Sequence, residues 1–410
     1  MKILIIHNEF PGQFGPLIQA LGGCSQHELV GIHPTNRHYD ISPEIPTYSY
    51  PTERGGEEGP LDRRVLEAFR NGRAVARALL SLKARGFSPD VVLGHLGWGE
   101  TLYIKEVFPD VPLIGYCEFF HGVRGKDADF DPEIFVPDFD DVLRIRTMNA
   151  VEALGLTGMD VGISPTLWQK GTFPEIFHRK IRICHEGVDL RKFAPQSDPS
   201  FRLPSGRILG RKDEVVTFAT HHLEPHRGIH AFLRALNRVL EARPSAQILM
   251  AGKDQVSYGR GAPEGTTWRE HFMREAAVTS DRVHYLGHLD ESQYRALLGV
   301  SRVHVYLTVP FVLSWSLIEA MAMGCTIVGS DTAPVREVIE RGINGDLVDF
   351  HNPGMLADKV IDILADPQKY RHFGSNARKT AEARFDRDKS IHQYLSLFNE
   401  IIKTSRHQDY

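Results

Sequence analysis

Apolar residues in the first half of the chain occur as short runs separated by polar stretches. Six of these runs end in polar or turn residues and predict buried strands at 2–7, 27–33, 90–95, 112–116, 161–164 and 180–184. Residues 63–84 interleave charged and apolar positions at helical spacing, and a shorter helix begins at 16–21. Because strands that alternate with helices form parallel sheets covered on both faces, the pattern predicts an α/β domain.

A second alternating block begins near residue 214. Its apolar runs predict strands at 215–219, 246–251, 283–286, 303–307, 326–328 and 345–348. Helical spacing predicts helices at 229–243, 268–277, 294–298 and 317–323. Residues 192–213 are rich in Pro, Ser, Gly and charge, which predicts an interdomain linker. A last helix at 388–402 carries one apolar face, which must cover another element.

Length and composition agree with two domains. A chain of 410 residues exceeds a comfortable single core. We therefore predict an N-terminal domain at 1–190, a linker at 191–213, a second domain at 214–387, and a terminal helix at 388–410 that returns to the first domain. The net charge of −4 provides no overall basic field, so nucleic acid is not expected as a partner.

The cysteines and the apolar runs indicate the cellular compartment of the protein. Cys24, Cys117, Cys184 and Cys325 are scattered, which is typical of reduced thiols rather than of a disulfide framework or a zinc site. The first apolar run is too short for a signal peptide, and no apolar run is long enough to span a membrane. We therefore expect a cytoplasmic location.

Residues 310–345 are the most informative stretch for function. A polar turn containing Ser314, Trp315 and Ser316 leads into the apolar helical run 317–323, with Glu319 expected in the first helical turn. The amides at a helix N-terminus attract phosphate, and a nearby carboxylate can accept a hydrogen bond from a hydroxyl such as that of ribose. The stretch therefore predicts one half of a nucleotide site.

A second candidate phosphate contact lies at 217–228. A predicted strand ends there, a short polar loop containing His222 follows, and Arg227 precedes Gly228 at the entrance of the next helix. A guanidinium fork beside helix-terminal amides suits a diphosphate. The alternative is a surface arginine that forms a local ion pair.

The stretch 311–324 resembles the donor-site signature of the retaining glycosyltransferases of the GT-B fold, family four. That signature is Glu, seven residues, Glu, then Ala-Met-Ala-x-Gly; Glu319 matches the second glutamate, which contacts ribose in the family. The first glutamate, which usually approaches the transferred sugar, falls at 319 − 8 = 311, where this chain has Phe311. The resemblance implies an α/β GT-B fold of two Rossmann-like domains whose parallel sheets face each other across a cleft.

Further matches to the family assign the donor site. Arg227 takes the place of the lysine in Gly-Arg-Leu-x-x-x-Lys-Gly, and His222, or His221 with a one-residue slip, takes the place of its arginine. The resemblance implies that donor contacts come from the following residues: Gly12, His222, Gly252, Asp254, Leu286, Gly287, Ser314, Trp315, Ser316 and Glu319. For the positions at 252–254 and 286–287, plain strand-ending turns are the alternative.

The first domain offers fewer signals. Gly12 and Gln13 lie in a glycine-containing loop after the first strand, which faces the cleft in the family. His121 follows the strand at 112–116 and resembles the histidine that lines the family's reaction centre; a cleft-edge histidine without a catalytic role is the alternative. Gln13, His95 and Glu118 are assigned to the acceptor side. The acidic run 127–133 lacks the rest of an EF-hand, so a solvated or acceptor-facing loop is expected.

The leading interpretation is a retaining glycosyltransferase that uses a nucleotide-diphosphate sugar, UDP- or GDP-linked, with His121, Arg227 and Glu319 as catalytic residues. No further cofactor and no metal are expected, since no Asp-x-Asp stands at a strand end of the first domain. The acceptor is a small molecule, a glycan or a lipid-linked compound, and peripheral membrane contact stays open. The alternatives are a GT-B epimerase or phosphorylase, or a degenerate non-catalytic nucleotide-sugar binder, which Phe311 motivates.

Overall fold

The computed structural model describes residues 1–35, 45–52 and 60–406, so the last four residues of the predicted terminal helix lie outside it. The chain divides into two compact units. Unit 1 comprises Met1–Val123, Pro137–Gly187 and Arg387–Tyr410. Unit 2 comprises Arg124–Val136 and Val188–Asp386. This division differs from the predicted one at residues 124–136. They were predicted in the first domain, but they belong to unit 2.

Unit 1 contains a seven-stranded parallel sheet with the order β3-β2-β1-β4-β5-β6-β7. Its strands are β1 (Lys2–Ile6), β2 (Glu28–Pro34), β3 (Thr47–Tyr50), β4 (Val91–His95), β5 (Leu113–Tyr116), β6 (Val161–Ser164) and β7 (Ile181–Ile183). Strand β3 was not predicted, because three of its four residues are exposed and it lies at the sheet edge. The other six strands were predicted. Five of them are largely buried and read as continuous apolar runs, whereas β7, at the other edge of the sheet, exposes two of its three residues.

Helices cover both faces of this sheet. They are α1 (Gly15–Leu21), α2 (Pro60–Ala84), α3 (Ile104–Val107), α4 (Phe139–Gly158) and α5 (Leu167–Thr172), together with the terminal helix, which is α13 (Arg387–Arg406) in chain order. One apolar cluster joins α1 and α13 to β1, and Phe398 at its centre is fully buried. A second cluster packs α2 and α4 on the opposite residues of the same strands. The terminal helix is thus part of the core of unit 1.

Unit 2 contains a six-stranded parallel sheet with the order β12-β11-β10-β13-β14-β15. Its strands are β10 (Val215–His222), β11 (Gln247–Lys253), β12 (Val283–Tyr285), β13 (Val303–Tyr306), β14 (Ile327–Ser330) and β15 (Asp346–Val348). Two parallel α/β units were predicted, and the structure confirms them. The predicted linker instead forms an antiparallel pair, β8 (Ser200–Arg202) with β9 (Ile208–Gly210), whose Phe201 and Leu209 belong to the unit 2 core.

The helices of unit 2 are α6 (Ile229–Ala242), α7 (Trp268–Glu275), α8 (Glu291–Val300), α9 (Trp315–Ala322), α10 (Ala333–Arg336), α11 (Pro353–Ala365) and α12 (Arg371–Arg384). The first four confirm the predicted ones, and the last three, α10 to α12, were not predicted. Helix α6 buries one full apolar face, and its Phe232 stacks on Phe218 of β10 at a centroid distance of 4.5 Å. This packing fixes α6, and hence the loop that precedes it, against the carboxyl end of β10.

The acidic segment 124–136 is not the solvated loop that the sequence suggested. Asp131 is buried, and its carboxylate lies 3.0 Å from Nε2 of His230 on α6. Glu133 pairs with both terminal nitrogens of Arg234 on the same helix. Burial opposes ionisation of Asp131, but the hydrogen bond and charge of His230 hold the pKa of this carboxyl below its ordinary value. The segment therefore docks on unit 2 through charged pairs that its acidic composition did not reveal.

Across the described ranges, no helix is long and apolar enough to cross a membrane.

Candidate functional site

Arg227 is a nearly buried cation at the carboxyl end of β10. It ends a short 3-10 helix (Pro225–Arg227) and is followed by Gly228, which has φ +69° and a would-be Cβ only 2.5 Å from Leu307. Arg227 as a whole is 9% exposed; its Nη1 donates to Oγ1 of Thr308 at 3.0 Å and to the Val312 carbonyl at 3.3 Å. No described carboxylate lies at ion-pair distance from it, although the buried Glu224 carboxylate interacts with it electrostatically. A buried guanidinium whose hydrogen-bond partners are all neutral is suited to an anionic ligand.

The N-terminus of α9 lies in the same neighbourhood, because Val312 is only two residues before its N-cap, Ser314. The Ser314 hydroxyl accepts from the Ser316 amide at 3.3 Å and contacts the Ser316 hydroxyl at 2.8 Å. The Ser314 amide donates to the Tyr306 hydroxyl at 3.0 Å, and Trp315 in the first turn is 36% exposed. Arg227 and this helix terminus thus combine a fixed cation with a positive helix end.

Glu319 lies further along α9 than the sequence suggested. It is the fifth residue of the helix, so it is not in the first turn. Burial raises the pKa of Glu319 to about 7, and a hydrogen bond from the Tyr294 hydroxyl on α8 opposes this rise. The carboxyl group therefore titrates in the physiological pH range, and Tyr294 is its one hydrogen-bond partner among the causes of its pKa shift.

His222 cannot serve as a cation like the arginine it replaces. It is 8% exposed, and its Nδ1 is hydrogen-bonded to the Ser257 hydroxyl. Burial, together with the charges of His221 and Lys253, lowers the pKa of His222 to about 4, so the ring is neutral at pH 7. A neutral imidazole can contact a donor through a hydrogen bond but adds no positive charge.

The position of the family's first glutamate is filled by an aromatic contact. The Phe311 ring is 5% exposed and meets Tyr258 edge-on at 4.7 Å between centroids, with His226 at 6.0 Å. Tyr258 in turn lies under the Arg227 guanidinium, 5.7 Å from ring centroid to Cζ. Phe311 therefore supports the residue that packs against Arg227, and it provides no carboxylate for a sugar.

A buried carboxylate that sequence reasoning missed organises this region. Glu224 is 1% exposed, and its Oε2 accepts from the amides of Ser257 at 2.8 Å and Tyr258 at 3.0 Å. These two bonds bring Ser257 to His222 and Tyr258 to Arg227. Its position directly before Pro225 in a polar loop was the one available signal, but a loop glutamate is ordinarily exposed.

The remaining predicted donor residues mainly shape the sheet edge. A Cβ at Gly252 would meet the Thr220 carbonyl at 2.6 Å, so glycine is required there. The Gly252 amide donates to the Gly287 carbonyl, and the Leu286 amide donates to the Met250 carbonyl, each at 2.9 Å. Both carboxylate oxygens of Asp254 accept from Arg269, at 2.7–3.1 Å. Asp254 thus has a structural partner that the sequence did not indicate.

Unit 1 gathers Gly12, Gln13, His95 and Glu118 around a residue that was not predicted, His7. Gly12 has φ +52°, and a Cβ on it would lie 2.4 Å from the His7 ring. His7 Nε2 lies 2.7 Å from Oε1 of Gln13, whose Nε2 donates to Oε1 of Glu118 at 2.6 Å. His95 Nε2 lies 3.3 Å from the other Glu118 oxygen.

Backbone amides fix the tautomers of both histidines. Nδ1 of His7 accepts from the Glu9 amide at 2.9 Å, and Nδ1 of His95 accepts from the Gly97 amide at 3.0 Å. In the neutral form, either ring therefore carries its proton on Nε2, directed toward Gln13 or Glu118. Burial and the neighbouring His95 lower the pKa of His7 to about 3, so this ring stays neutral.

Glu118 is consequently held as an anion at the carboxyl edge of the unit 1 sheet. Burial opposes its ionisation, but hydrogen bonds from His95 and Gln13 hold the pKa of Glu118 below its ordinary value. Its side chain keeps 28% exposure. A carboxylate with two fixed donors and an exposed remainder can accept a hydrogen bond from a ligand hydroxyl.

His121 follows β5 on a main chain that α4 anchors. Its amide donates to Oδ1 of Asn149 at 3.0 Å, and its carbonyl accepts from Nδ2 of Asn149 at 2.7 Å. The ring packs edge-on against Phe119. His121 belongs to unit 1, whereas Arg227 and Glu319 belong to unit 2. The three residues predicted as catalytic are thus divided between the units.

Glu186 is a second buried carboxylate of unit 1 that was not predicted as a site residue. The Tyr116 hydroxyl at the end of β5 donates to Oε1 of Glu186, which is 3% exposed. Burial and the charge of Glu186 raise the pKa of Tyr116 well above its ordinary value. His185 repeats the pattern of His7 and His95, because its Nδ1 accepts from the Gly187 amide at 2.9 Å.

Two family models match most of the chain. Residues 25–193 match the model described as glycosyl transferase family 4 group, and residues 206–380 match the model described as glycosyl transferases group 1.

Individual relatives are more distant. Spore coat protein SA of Bacillus subtilis is 26% identical over 54% of this chain and 59% of that protein, so the chain aligns with less than two thirds of this relative. The structure of sucrose-phosphate synthase from Thermosynechococcus elongatus is similar with a TM-score of 0.72 at 17% identity, covering 98% of this chain and 100% of that one. HepE of Anabaena, solved in complex with UDP-glucose, is similar with a TM-score of 0.65 at 17% identity and the same coverage.

Proposed function

Because the chain belongs to the group 1 family of glycosyltransferases and has the GT-B fold, we propose that it transfers a sugar from a nucleotide-diphosphate sugar to an acceptor hydroxyl, with retention at the anomeric carbon. The family models and the similar structures confirm the glycosyltransferase family and the GT-B fold predicted from the sequence, and retention is part of the proposal. The observation that carries the proposed activity is Arg227, which is 9% exposed and has no described carboxylate at ion-pair distance.

The donor is bound by unit 2 in this proposal. Its diphosphate lies against Arg227 and the N-terminus of α9, where Ser314 and Ser316 add hydroxyl groups. Glu319 accepts a hydrogen bond from a ribose hydroxyl. His222 contributes as a neutral hydrogen-bonding ring, since its lowered pKa leaves it uncharged.

Transfer then forms a bond between the acceptor oxygen and the anomeric carbon while the bond from that carbon to the diphosphate oxygen breaks. The acceptor proton passes to the departing diphosphate. The main requirement on the protein is stabilisation of the negative charge that develops on the leaving group, and a fixed guanidinium beside a helix N-terminus meets that requirement. His121 is assigned to the reaction centre on the resemblance alone.

The proposal extends to the identity of the nucleotide and to the residues that bind the acceptor. UDP is the first candidate, because HepE was solved with UDP-glucose; GDP is the second. Gln13, His95 and Glu118 are assigned to the acceptor, whose hydroxyl would donate to the Glu118 carboxylate. In the described part of the chain, no cluster of three or more His, Cys, Asp or Glu side chains is arranged to hold a metal. Metal-independent transfer and a cytoplasmic location stay predictions.

A non-catalytic nucleotide-sugar binder is the second candidate, and Phe311 is the observation that favours it. The ring replaces a carboxylate that the family uses near the sugar and packs instead on Tyr258. The two candidates agree on nucleotide binding and differ on turnover.

Titration calorimetry with UDP-, GDP-, ADP- and TDP-sugars, followed by an assay of nucleoside diphosphate release, tests the proposal. An enzyme should bind one nucleotide class preferentially and release its diphosphate, faster with acceptor present. Saturable binding without any release across an acceptor panel would support the binder instead. If no nucleotide sugar binds at all, both candidates are wrong.

A further inference from the structure

Glu118 of unit 1 is fixed by hydrogen bonds and still has capacity to accept more. Its Oε1 accepts from Nε2 of Gln13 at 2.6 Å, and its Oε2 lies 3.3 Å from Nε2 of His95. The Glu118 carbonyl accepts from the side chain of the fully buried Gln169 at 2.9 Å, which anchors the main chain. A carboxylate has about four positions that accept hydrogen bonds, so each Glu118 oxygen keeps one for a ligand.

His7 determines which way the Gln13 amide faces. Nδ1 of His7 accepts from the Glu9 amide at 2.9 Å, so the neutral ring carries its proton on Nε2. This N–H points at Oε1 of Gln13, 2.7 Å away, and the Gln13 amino group is thereby turned toward Glu118. Without the His7 proton, the Gln13 amide would be free to flip and to set its own oxygen against the carboxylate.

The His7 ring is held in this orientation by its packing. A Cβ on Gly12 would lie 2.4 Å from the ring, and the rings of Phe14 and His95 each meet it edge-on at 5.6 Å between centroids. His7 is 4% exposed, which is too little for contact with a substrate. Any effect of His7 on a ligand must therefore pass through Gln13.

Two neighbouring hydroxyl groups suit the free positions of Glu118 better than an ammonium group does. The two oxygens of one carboxylate are close enough to accept from hydroxyls on adjacent carbons. The Arg64 guanidinium stacks on Trp98 at 4.6 Å and interacts electrostatically with Glu118, so the site already contains a cation that opposes a second one. The Trp98 ring, 6.1 Å from the His95 ring, adds an apolar surface beside these polar groups.

We propose that His7 is a positioning residue that holds Glu118, through Gln13, in place to accept hydrogen bonds from two neighbouring hydroxyl groups of the acceptor substrate. That substrate is then a polyol or a saccharide with a vicinal diol rather than an isolated alcohol. The inference rests on the proposed glycosyl transfer and on the assignment of Glu118 to the acceptor side.

Acceptor kinetics at a saturating UDP- or GDP-sugar test the diol requirement. The probes are myo-inositol and the methyl glycosides of glucose, mannose and galactose, each compared with the analogue that lacks a hydroxyl next to the glycosylated one. Removing that neighbour should lower kcat/KM for the acceptor on the order of 10- to 100-fold, with the donor KM unchanged. Equal kcat/KM for a probe and its deoxy analogue, or equally efficient transfer to 1-butanol, would overturn the proposal.

Variants of the two linked side chains test the role of His7. His7→Phe keeps an aromatic ring and removes both nitrogens, so it should raise the acceptor KM roughly tenfold and reduce the preference for the diol. Gln13→Leu, at a partly exposed position, should do the same, and the double variant should lose no more than either single one. The matched control is His178→Phe, which removes the hydrogen bond of a half-buried histidine to the Phe173 carbonyl and should leave the preference unchanged.

Two results would assign His7 a merely structural role and overturn the proposal. One is additive losses in the double variant, and the other is a lower kcat with an unchanged preference for the diol. Donor binding and donor hydrolysis, measured without an acceptor, separate this inference from the proposed function. Intact donor turnover without a preference for the diol would contradict the inference alone, whereas a protein that binds no donor would contradict both.

Discussion

At the residue scale, the role proposed for Arg227 rests on the absence of a described carboxylate at ion-pair distance from a nearly buried cation. A cation that is 9% exposed is ordinarily paired with a carboxylate, and here its hydrogen-bond partners are a threonine hydroxyl and a carbonyl. Thr308 and Val312 orient the guanidinium without neutralising it. An anion bound at this position would supply the missing partner.

We predict that Arg227→Ala lowers the rate of nucleoside diphosphate release about 100-fold, because one stabiliser of the leaving group is lost. Steady-state kinetics measures the rate, and thermal unfolding measures the fold. The matched control is Arg238→Ala, which removes an exposed arginine of α6 that pairs with Asp358. Turnover near the wild-type rate in a folded Arg227 variant would refute the phosphate role.

Glu319 should make nucleotide binding depend on pH. Burial raises the pKa of this carboxyl to about 7, so its ionised form dominates above pH 7 and its protonated form below. Because the carboxylate is the better acceptor for a ribose hydroxyl, affinity for UDP should fall as the pH drops through 7. Glu319→Gln should weaken UDP binding at pH 8 by about 1.5–3 kcal/mol, the range for a charge-assisted hydrogen bond.

Calorimetry from pH 6 to 9 would isolate this effect, because the phosphate of UDP also titrates and its contribution persists in Glu319→Gln. Other titratable groups lie near this site. Glu291 on α8 interacts electrostatically with Glu319 and pairs with Lys192 at 3.3 Å, and Tyr306 and Cys325 interact with Tyr294. Tyr294→Phe removes the hydrogen bond that opposes the raised pKa, so the pH midpoint should move upward. An identical pH profile in the wild type and Glu319→Gln would contradict the ribose role.

At the scale of elements, the segment 124–136 is held on α6 by pairs that span the sequence. Asp131 meets His230, and Glu133 meets Arg234, which also donates to Glu275 of α7. The folded pKa of Asp131 lies below its ordinary value. The stability this group contributes is therefore complete above about pH 3.9 and is lost as the pH falls through the lower folded pKa.

We predict that Asp131→Asn releases this segment, since His230 would remain buried without its charged partner. Hydrogen exchange of amides 124–136 should accelerate on the order of tenfold or more, while exchange in β10 and β11 stays unchanged. Asp140→Asn, at an exposed position in the first turn of α4, provides the control. Equal protection of the segment in wild type and Asp131→Asn would show that its apolar contacts, such as Phe130 with Phe350, suffice.

At the scale of the whole molecule, unit 1 is completed by the end of the chain. Ile391, Tyr394, Leu397, Phe398 and Ile401 of α13 share one apolar cluster with β1 and α1. Strand β1 thus depends on residues nearly the full length of the sequence away. The segment Arg387–Tyr410 is a structural part of unit 1 rather than an appendage of the domain that precedes it.

Phe398→Ala should therefore destabilise unit 1 by about 3–5 kcal/mol, the usual cost of removing a fully buried aromatic ring. Hydrogen exchange should show the loss in β1 and β2 and little change in β10 and β13. His392→Ala, at an exposed position of the same helix, is the matched control. Unchanged exchange in β1 would mean that α13 does not support the core of unit 1.

Local patterns were sufficient for most elements of the fold. Twelve predicted strands were found, because a buried parallel strand is a continuous apolar run bounded by turn residues. The edge strand β3 and the β8–β9 pair escaped, because their residues are mostly exposed and carry no apolar run. The run 317–323 predicted a helix from neighbouring residues alone, and the helix begins two residues earlier, at Trp315, with Ser314 as its N-cap.

The sequence by itself thus determined the two α/β units and supplied the residue types of the proposed nucleotide site, since periodicity and turns depend on residues a few positions apart. Only the tertiary structure decided the protonation states and the hydrogen-bond partners of the site residues. Gln13 and Glu118 are 105 positions apart, and Arg227 and Thr308 are 81 apart. Burial and hydrogen bonds between such distant residues keep Glu118 ionised, His222 neutral, Glu319 titratable near pH 7 and Arg227 without a carboxylate, and no local pattern encodes them.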